Sequence, residues 1–415
     1  MHDRWDALVV GAGPCGASAA YWLAEEGHRV LVVEKSRFPR EKTCGDGLTP
    51  RAVRQLADMG LDERLAAYHR FGGLRSIAHG LTLELAWPSH PEFPPYGYVV
   101  TRRNLDEMVA EGAVKAGAVL WQDTEAVAPL VEGGVVTGAV VKPKDGGPQA
   151  EVRARYVLVA DGANSRFGRA LGTARGRRYP LGMAIRGYYH SPRHGEPWIE
   201  SHLDVRDRAG NVLPGYGWIF PVGDGTVNVG VGILSTFKHW KSINTSQLMD
   251  AFVHQAPPSW ELGPDTRVCP PTGGKLPMGN SVSPSSGPGW LVAGDAAGAI
   301  NPFNGEGIAY AYETGRMAAA TLDAALRTGD SVVLAAWPDQ LAAAYGPYFK
   351  VARAFVRAIG NPRVMAELTR VGMRSATLME WVLRIMSNMC RPDETGPAEA
   401  AYKVVERLVA IGPEP

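Results

Sequence analysis

One stretch, Asp6 to Glu34, limits what this chain can fold into more than any other. Leu8, Val9 and Val10 form a short continuous apolar run, the pattern of a strand buried on both faces. Gly11-x-Gly13-x-x-Gly16 follows at once. Ala17, Ala20, Leu23 and Ala24 then recur at helical spacing, and Gly27 ends the helix. Val30 to Val33 predicts a second buried strand, which ends in Glu34. Gly11 permits a tight turn, Gly13 lets backbone approach a pyrophosphate, and Gly16 lets helix and strand pack closely. The helix aims bare N–H groups and the positive end of its dipole at the phosphates. Glu34 stands 18 residues after Gly16, near the roughly 20 expected for an acid that binds ribose hydroxyls. A lone glycine motif is a weak signal, but the complete strand–turn–helix–strand–acid unit specifies dinucleotide binding.

The bulk numbers exclude several classes. A net charge of +1 over 415 residues makes no strong field for nucleic acid or an anionic membrane. Hydrophobic residues at 45% suffice for a large core in two or three structural units. Cys15, Cys44, Cys269 and Cys390 form no C-x-x-C pair, which argues against zinc ribbons and thioredoxin-type motifs and fits a reducing cytosol. No metal site is expected. The first strand begins almost at once, which leaves no room for a signal peptide. No apolar run reaches the roughly 18 residues of a spanning helix. A soluble or peripheral protein is expected.

Beyond Glu34, the loop Ser36 to Pro50 carries Cys44, Gly45, Asp46 and Gly47, and Pro50 opens a helix over Arg51 to Met59. A loop of this composition beside a dinucleotide unit is a candidate site, the alternative being an ordinary surface turn. Leu74 to Trp87 reads as paired strands around Gly80. Tyr98 to Thr101 reads as a strand, Arg102 opens a helix to Ala116, and Ala154 to Val159 is a strand ending in Asp161-Gly162-Ala-Asn164-Ser165-Arg166. An antiparallel region follows: Leu181 to His190, Trp198 to Val205, Leu213 to Pro221 and Thr226 to Leu234, with turns at Asp207 to Asn211 and Gly223 to Gly225. Alternation puts Tyr216, Trp218 and Phe220 on one face. Asn228, Gly230 and Gly232 share a face of their own strand, where missing side chains leave room for a long ligand; the alternative is plain core packing. Trp290 to Gly294 reads as a buried strand ending at Asp295. Asn301 to Ile308 leads into a helix to about Arg327 with Asn304 as N-cap. Trp381 to Met389 is Met-rich and apolar, which suits core or dimer packing, or else a membrane- or substrate-facing surface.

Three motifs thus stand in order: the Gly11 unit with Glu34, Asp161-Gly162, and Gly294-Asp295-Ala-Ala-Gly298. Together they resemble the flavoproteins of the p-hydroxybenzoate hydroxylase fold, whose arginine just after a strand is matched by Arg102. The resemblance implies an α/β chain. Its FAD-binding domain would be Rossmann-like, of the p-hydroxybenzoate hydroxylase/glutathione reductase type, joined by an antiparallel β-sheet substrate domain and C-terminal helices. The FAD-binding parts would be residues 1–73, 98–178 and 276–330, the substrate parts 74–97 and 179–275, and the helical region 331–415. The cofactor would be FAD. Its expected contacts are Gly11, Gly13, Pro14, Cys15, Gly16, Glu34 and Lys35, then Cys44, Gly45, Asp46 and Gly47, then Arg102, Val127 and Asp161, and last Asp295, Pro302, Gly305, Gly307 and Ile308.

A narrower resemblance follows. Cys44-Gly-Asp46-Gly-Leu is similar to the signature of geranylgeranyl reductases, as are Tyr216-Gly-Trp218-Ile-Phe220-Pro221 with Asn228-Val-Gly230, and Asn301 to Ile308. Across roughly residues 1–330 the chain is most similar to the bacterial branch that saturates one isoprene unit of a menaquinone tail. That resemblance implies reduction of a prenyl C=C bond, in a menaquinone tail or a geranylgeranyl lipid, by hydride from flavin N5 plus a proton. Tyr216 and Trp218 would stabilise cation character, and Cys44 and Glu306 are candidates for handling the proton. The flavin pyrimidine would face the helix near Asn304. No second dinucleotide unit is visible, so the electron donor is left open among NAD(P)H, a ferredoxin and another carrier. The expected location is cytoplasmic, peripheral to the inner face of the membrane, without nucleic-acid partners. Two alternatives stay open: a flavin monooxygenase on the same fold, and a prenyl-lipid carrier without catalysis.

Overall fold

The computed structural model describes residues 4–391 and 395–411. Strand β1 (Trp5–Val10) lies between strand Ala150–Val159 and β2 (Val30–Val33), parallel to both. Strands Val119–Trp121 and Trp290–Val292 extend the parallel sheet on either side. The continuous apolar run has its physical cause here. Ala7, Val9, Val30 and Val32 face α1 (Pro14–Glu25) and the long helix Ile308–Thr328. Leu8, Val10, Leu31 and Val33 face the hairpin Thr124–Glu132/Val135–Pro143, which pairs with Ala150–Val159. Both faces are dry, so alternation is not required. The two helices approach closely through small residues: a Cβ on Gly315 would lie 2.5 Å from Cys15 O.

A seven-stranded sheet stands against this unit, in the order Thr272–Pro277, Leu181–His190, Thr226–Leu234, Gly215–Pro221, Trp198–His202, Gly73–Ala78 and Leu81–Ala86. It departs from the antiparallel expectation at one ladder, where Trp198–His202 runs parallel to Gly73–Ala78. Period-two alternation divides its faces. Ile219, Val227, Val229, Val231 and Ile233 pack under helix Thr245–Gln255 with Phe252 and Trp260. Tyr216, Trp218 and Phe220 line the other face, with successive ring centroids 5.8 and 6.3 Å apart.

The room expected beside Gly230 is already filled. Trp218 is paired with Gly230 across the ladder, and a Cβ there would lie 2.1 Å from the indole. That glycine admits a ring of the protein itself. The helix after Asp295 is also corrected: it begins at Ile308, with Gly307 as N-cap. The Asn304 carboxamide instead accepts from Glu306 N, an Asx-type turn that competes with capping. Among the C-terminal helices, Ala376–Met386 sends Met379 and Leu383, with Met389 just beyond it, into the core beside Phe71, Trp87 and Tyr188. The Met-rich stretch therefore packs as core.

Candidate active site

The first-motif glycines do different jobs. Gly11 sits at φ +98°, where a Cβ would come 2.6 Å from Ala160 O, and a Cβ on Gly16 would come 1.9 Å from Gly11 O. Both are fixed by packing. Gly13 is open, its nearest neighbour being Arg40 Nη2 at 3.8 Å. It is also the N-cap of α1, which starts at Pro14 without a side-chain cap. The Cys15 side chain points away from this turn, beneath Gly294, where burial pushes the thiol up to about 12. Glu34, buried, accepts from Ala12 N at 2.9 Å and Ser36 N at 3.0 Å, which ties the strand end to the glycine turn. Arg40, absent from the sequence-based candidates, bonds Asp106 at 2.9 Å and approaches Glu34 at 3.4 Å. Lys35 is exposed. Val127 is the extra residue of a bulge between the pairs Ala126–Val141 and Ala128–Val140, so the ladder gives it no partner.

Asp161 accepts from Phe167 N at 3.1 Å, while its Oδ1 is buried without a partner among the described residues. Asp295 lies at the start of helix Ile308–Thr328, 3.3 Å from where a Gly307 Cβ would stand. The loop before that helix is held from both sides. Asn301 Nδ2 and Asn304 Nδ2 donate to Met386 O at 3.0 and 3.1 Å, and Gly305 turns at φ +77°. Pro302 packs over Gly279. An open glycine turn, two uncapped helix starts and an orphaned carboxylate oxygen form a cradle that fits FAD.

The loop expected to approach the flavin is built around Asp46. This residue is fully buried and sits at φ +65°, a conformation that costs a non-glycine residue on the order of 1 kcal/mol. Four hydrogen bonds over-determine it. Arg102 N donates to Oδ1 at 3.2 Å, Asn228 Nδ2 to Oδ2 at 2.7 Å and the Tyr188 hydroxyl to Oδ2, while the Asp46 carbonyl accepts from Val100 N at 3.0 Å. Burial raises the Asp46 carboxyl to about 6 against the pull of Tyr188, Arg186, Asn228 and Arg102. Asn228 Nδ2 also donates to Cys44 O at 2.9 Å, and its Oδ1 accepts from Trp218 Nε1 at 3.0 Å. Gly45 and Gly47 lie flat on Trp218 and Phe220, where Cβ atoms would come within 3.3 and 3.0 Å of those rings. Burial pushes the Cys44 thiol up, and Arg102 draws it back down. The Arg102 guanidinium itself bonds Asp106 at 2.7 and 2.8 Å.

Tyr216 closes the site, donating to Asn304 O at 2.6 Å. Burial, reinforced by the nearby Cys44 and Glu306, raises its hydroxyl to about 12. Glu306 accepts from the Thr49 hydroxyl, and its Oε2 is buried without a partner among the described residues. Burial raises its carboxyl to about 7, with Thr49 and Arg51 opposing. The structure thus brings Cys44, Asp46, Tyr216, Trp218 and Glu306 into one neighbourhood. It adds Tyr188, Thr49 and Arg40, and it gives Asn228, already on the expected ligand face, its hydrogen-bonding role. A polar Asn228 inside the aliphatic run Val227 to Ile233 is the one signal that could have flagged this network, since a buried amide needs partners.

A dinucleotide cradle facing an aromatic sheet defines the class, an FAD-dependent oxidoreductase. A model of the FAD binding domain matches residues 4–188, and one of the geranylgeranyl reductase catalytic domain matches residues 210–263. The chain belongs to the geranylgeranyl reductase family. It is 42% identical to a menaquinone reductase of Mycolicibacterium smegmatis, over 95% of this chain and 94% of that one. It is 31% identical to a digeranylgeranylglycerophospholipid reductase of Thermoplasma volcanium, over 79% and 80%. A geranylgeranyl bacteriochlorophyll reductase-like protein of Thermoplasma acidophilum superposes with a TM-score of 0.79, at 23% identity and over 97% and 99% of the two chains, and shares the fold.

Proposed function

We propose that this protein is an FAD-dependent reductase that saturates a C=C bond of a prenyl chain, with a menaquinone tail as the substrate. The observation that carries this reading is the aromatic sheet face of Tyr216, Trp218 and Phe220 packed against the Cys44 to Gly47 loop, in a chain 42% identical to a menaquinone reductase. An isolated trisubstituted alkene accepts hydride poorly, so one carbon must gain a proton as the other gains hydride. FAD bound in the cradle supplies the hydride once reduced.

The protein's own groups do the rest. Trp218, held by Asn228, and Tyr216, held by Asn304 O, present π-faces to the developing positive charge. Gly45 and Gly47 pack on Trp218 and Phe220 and cover that side of the rings. Glu306, raised to about 7, still carries a proton near neutrality and has an oxygen free to give it, which supports a role as proton donor. Cys44 shapes the pocket beside it. No described helix is long and apolar enough to cross a membrane, and the reading places the enzyme peripherally at the inner membrane face, where a prenyl quinone resides. The test is turnover of prenyl quinone by Trp218→Ala and Cys44→Ser. Both variants are expected to keep the flavin and lose at least tenfold in kcat or kcat/KM; parent rates in both would sink the assignment of this face.

A further inference from the structure

A cationic cavity lies outside the site described above. A surface cavity of about 400 Å³ is lined by Arg177, Arg178, Tyr179, Ser235, Thr236 and Arg357. No carboxylate lines it, and none lies within ion-pair distance of Arg177, Arg178 or Arg357 among the described residues. The cluster is built rather than incidental. Arg175 Nη1 clamps the turn that carries Arg177 and Arg178, donating to Gly176 O at 3.1 Å and Tyr179 O at 2.8 Å. Arg357 Nη2 donates to Arg178 O at 2.7 Å, which holds the second guanidinium against the same turn. A further guanidinium, Arg353, lies 5.0 Å over the Tyr179 ring. Like charges gathered this closely repel one another, and Arg177, Arg178 and Arg357 meet no carboxylate among the described residues.

We propose that this cavity binds a phosphate group. Planar guanidinium forks match phosphate oxygens two at a time, and exposed arginines around a concave polar wall are the usual means of holding one. A chain of contacts leads from this cavity toward the site. The Arg353 methylenes and Pro302 pack over Gly279 from two sides, 3.5 and 3.3 Å from where its Cβ would be. Tyr179, Arg353 and Gly279 thus connect the cavity wall to Pro302 of the loop Asn301 to Ile308. A phosphate there has two sources: the 2′-phosphate of a reducing dinucleotide, or the headgroup of an anionic phospholipid.

Binding is measured without turnover, so the result stands apart from the prenyl reductase reading. The oxidised holoprotein is titrated with NADP+ and NAD+, which cannot reduce the flavin, and sedimented with phosphatidylglycerol or phosphatidylcholine vesicles. The same is done for an Arg177→Gln/Arg178→Gln variant, with Arg177→Lys/Arg178→Lys as the charge-retaining control. Flavin absorbance and the melting temperature report the fold. If the source is a dinucleotide, the parent prefers NADP+, and the Gln variant loses about tenfold on NADP+ and nothing on NAD+. If it is a headgroup, phosphatidylglycerol binding falls about tenfold while phosphatidylcholine is unaffected. A parent that discriminates within neither pair, or a Gln variant matching the parent on both, overturns the proposal.

Discussion

Asn228 donates to the Asp46 carboxylate at 2.7 Å from the middle of an otherwise aliphatic strand. The same amide holds the Cys44 carbonyl and the Trp218 indole. Asn228→Ala leaves a buried indole N–H and part of a buried carboxylate unsatisfied, at about 1–3 kcal/mol each. The expected result is a lowered Tm and a kcat reduced at least tenfold, with FAD retained because the cradle residues are elsewhere. Differential scanning fluorimetry with steady-state kinetics checks this. A variant with parent kcat would show that the network is structural only.

The glycine turn separates packing from binding. Gly16→Ala places a methyl group 1.9 Å from Gly11 O, so it should destabilise the apoprotein itself. Gly13→Ala meets open space on the protein side, with Arg40 Nη2 at 3.8 Å. It should leave the apoprotein's Tm within about 2 °C of the parent and weaken FAD at least tenfold. Equal behaviour of the two variants would contradict the division.

Glu306 predicts a pH signature. Its folded carboxyl is raised from 4.5 to about 7, so the folded state holds the proton more tightly than the unfolded chain. Its contribution to stability is full below about pH 4.5 and is lost as pH rises through about 7. Glu306→Gln should therefore gain stability on the parent between about pH 5 and about pH 8, by at most about 3 kcal/mol. If the carboxyl is the proton donor, parent kcat falls above about pH 7, and the Gln variant is slow at every pH. Parallel pH–stability curves for the two proteins would remove the buried acid from the account.

The indole of Trp218 occupies the space above Gly230. Gly230→Val should displace it, red-shift the tryptophan emission and reduce prenyl turnover at least tenfold. An unshifted spectrum with full activity would mean that the ring is not confined there.

The FAD unit was legible because its signals are local: an apolar run, three glycines and an acid within one supersecondary element. The Cys44 to Gly47 loop could be singled out but not explained. Its partners Tyr188 and Asn228 are 142 and 182 residues away from Asp46. Asn304 does not cap the helix, because a short polar side chain serves an Asx turn as readily as a helix start. Gly230 marks a gap in the strand's face, but a missing side chain does not say whether a ligand or a neighbouring ring fills it. The tie from Asn301 and Asn304 to Met386 O spans more than eighty residues and left no trace in either segment.

The most direct test of the central claim is anaerobic incubation of the reduced holoprotein with a prenyl quinone, followed by mass analysis of the product. The account predicts a tail heavier by two hydrogens, formed in step with reoxidation of the flavin and without oxygen. A product that gains oxygen, formed only in air, would contradict it and move the chain to the monooxygenases of the same fold.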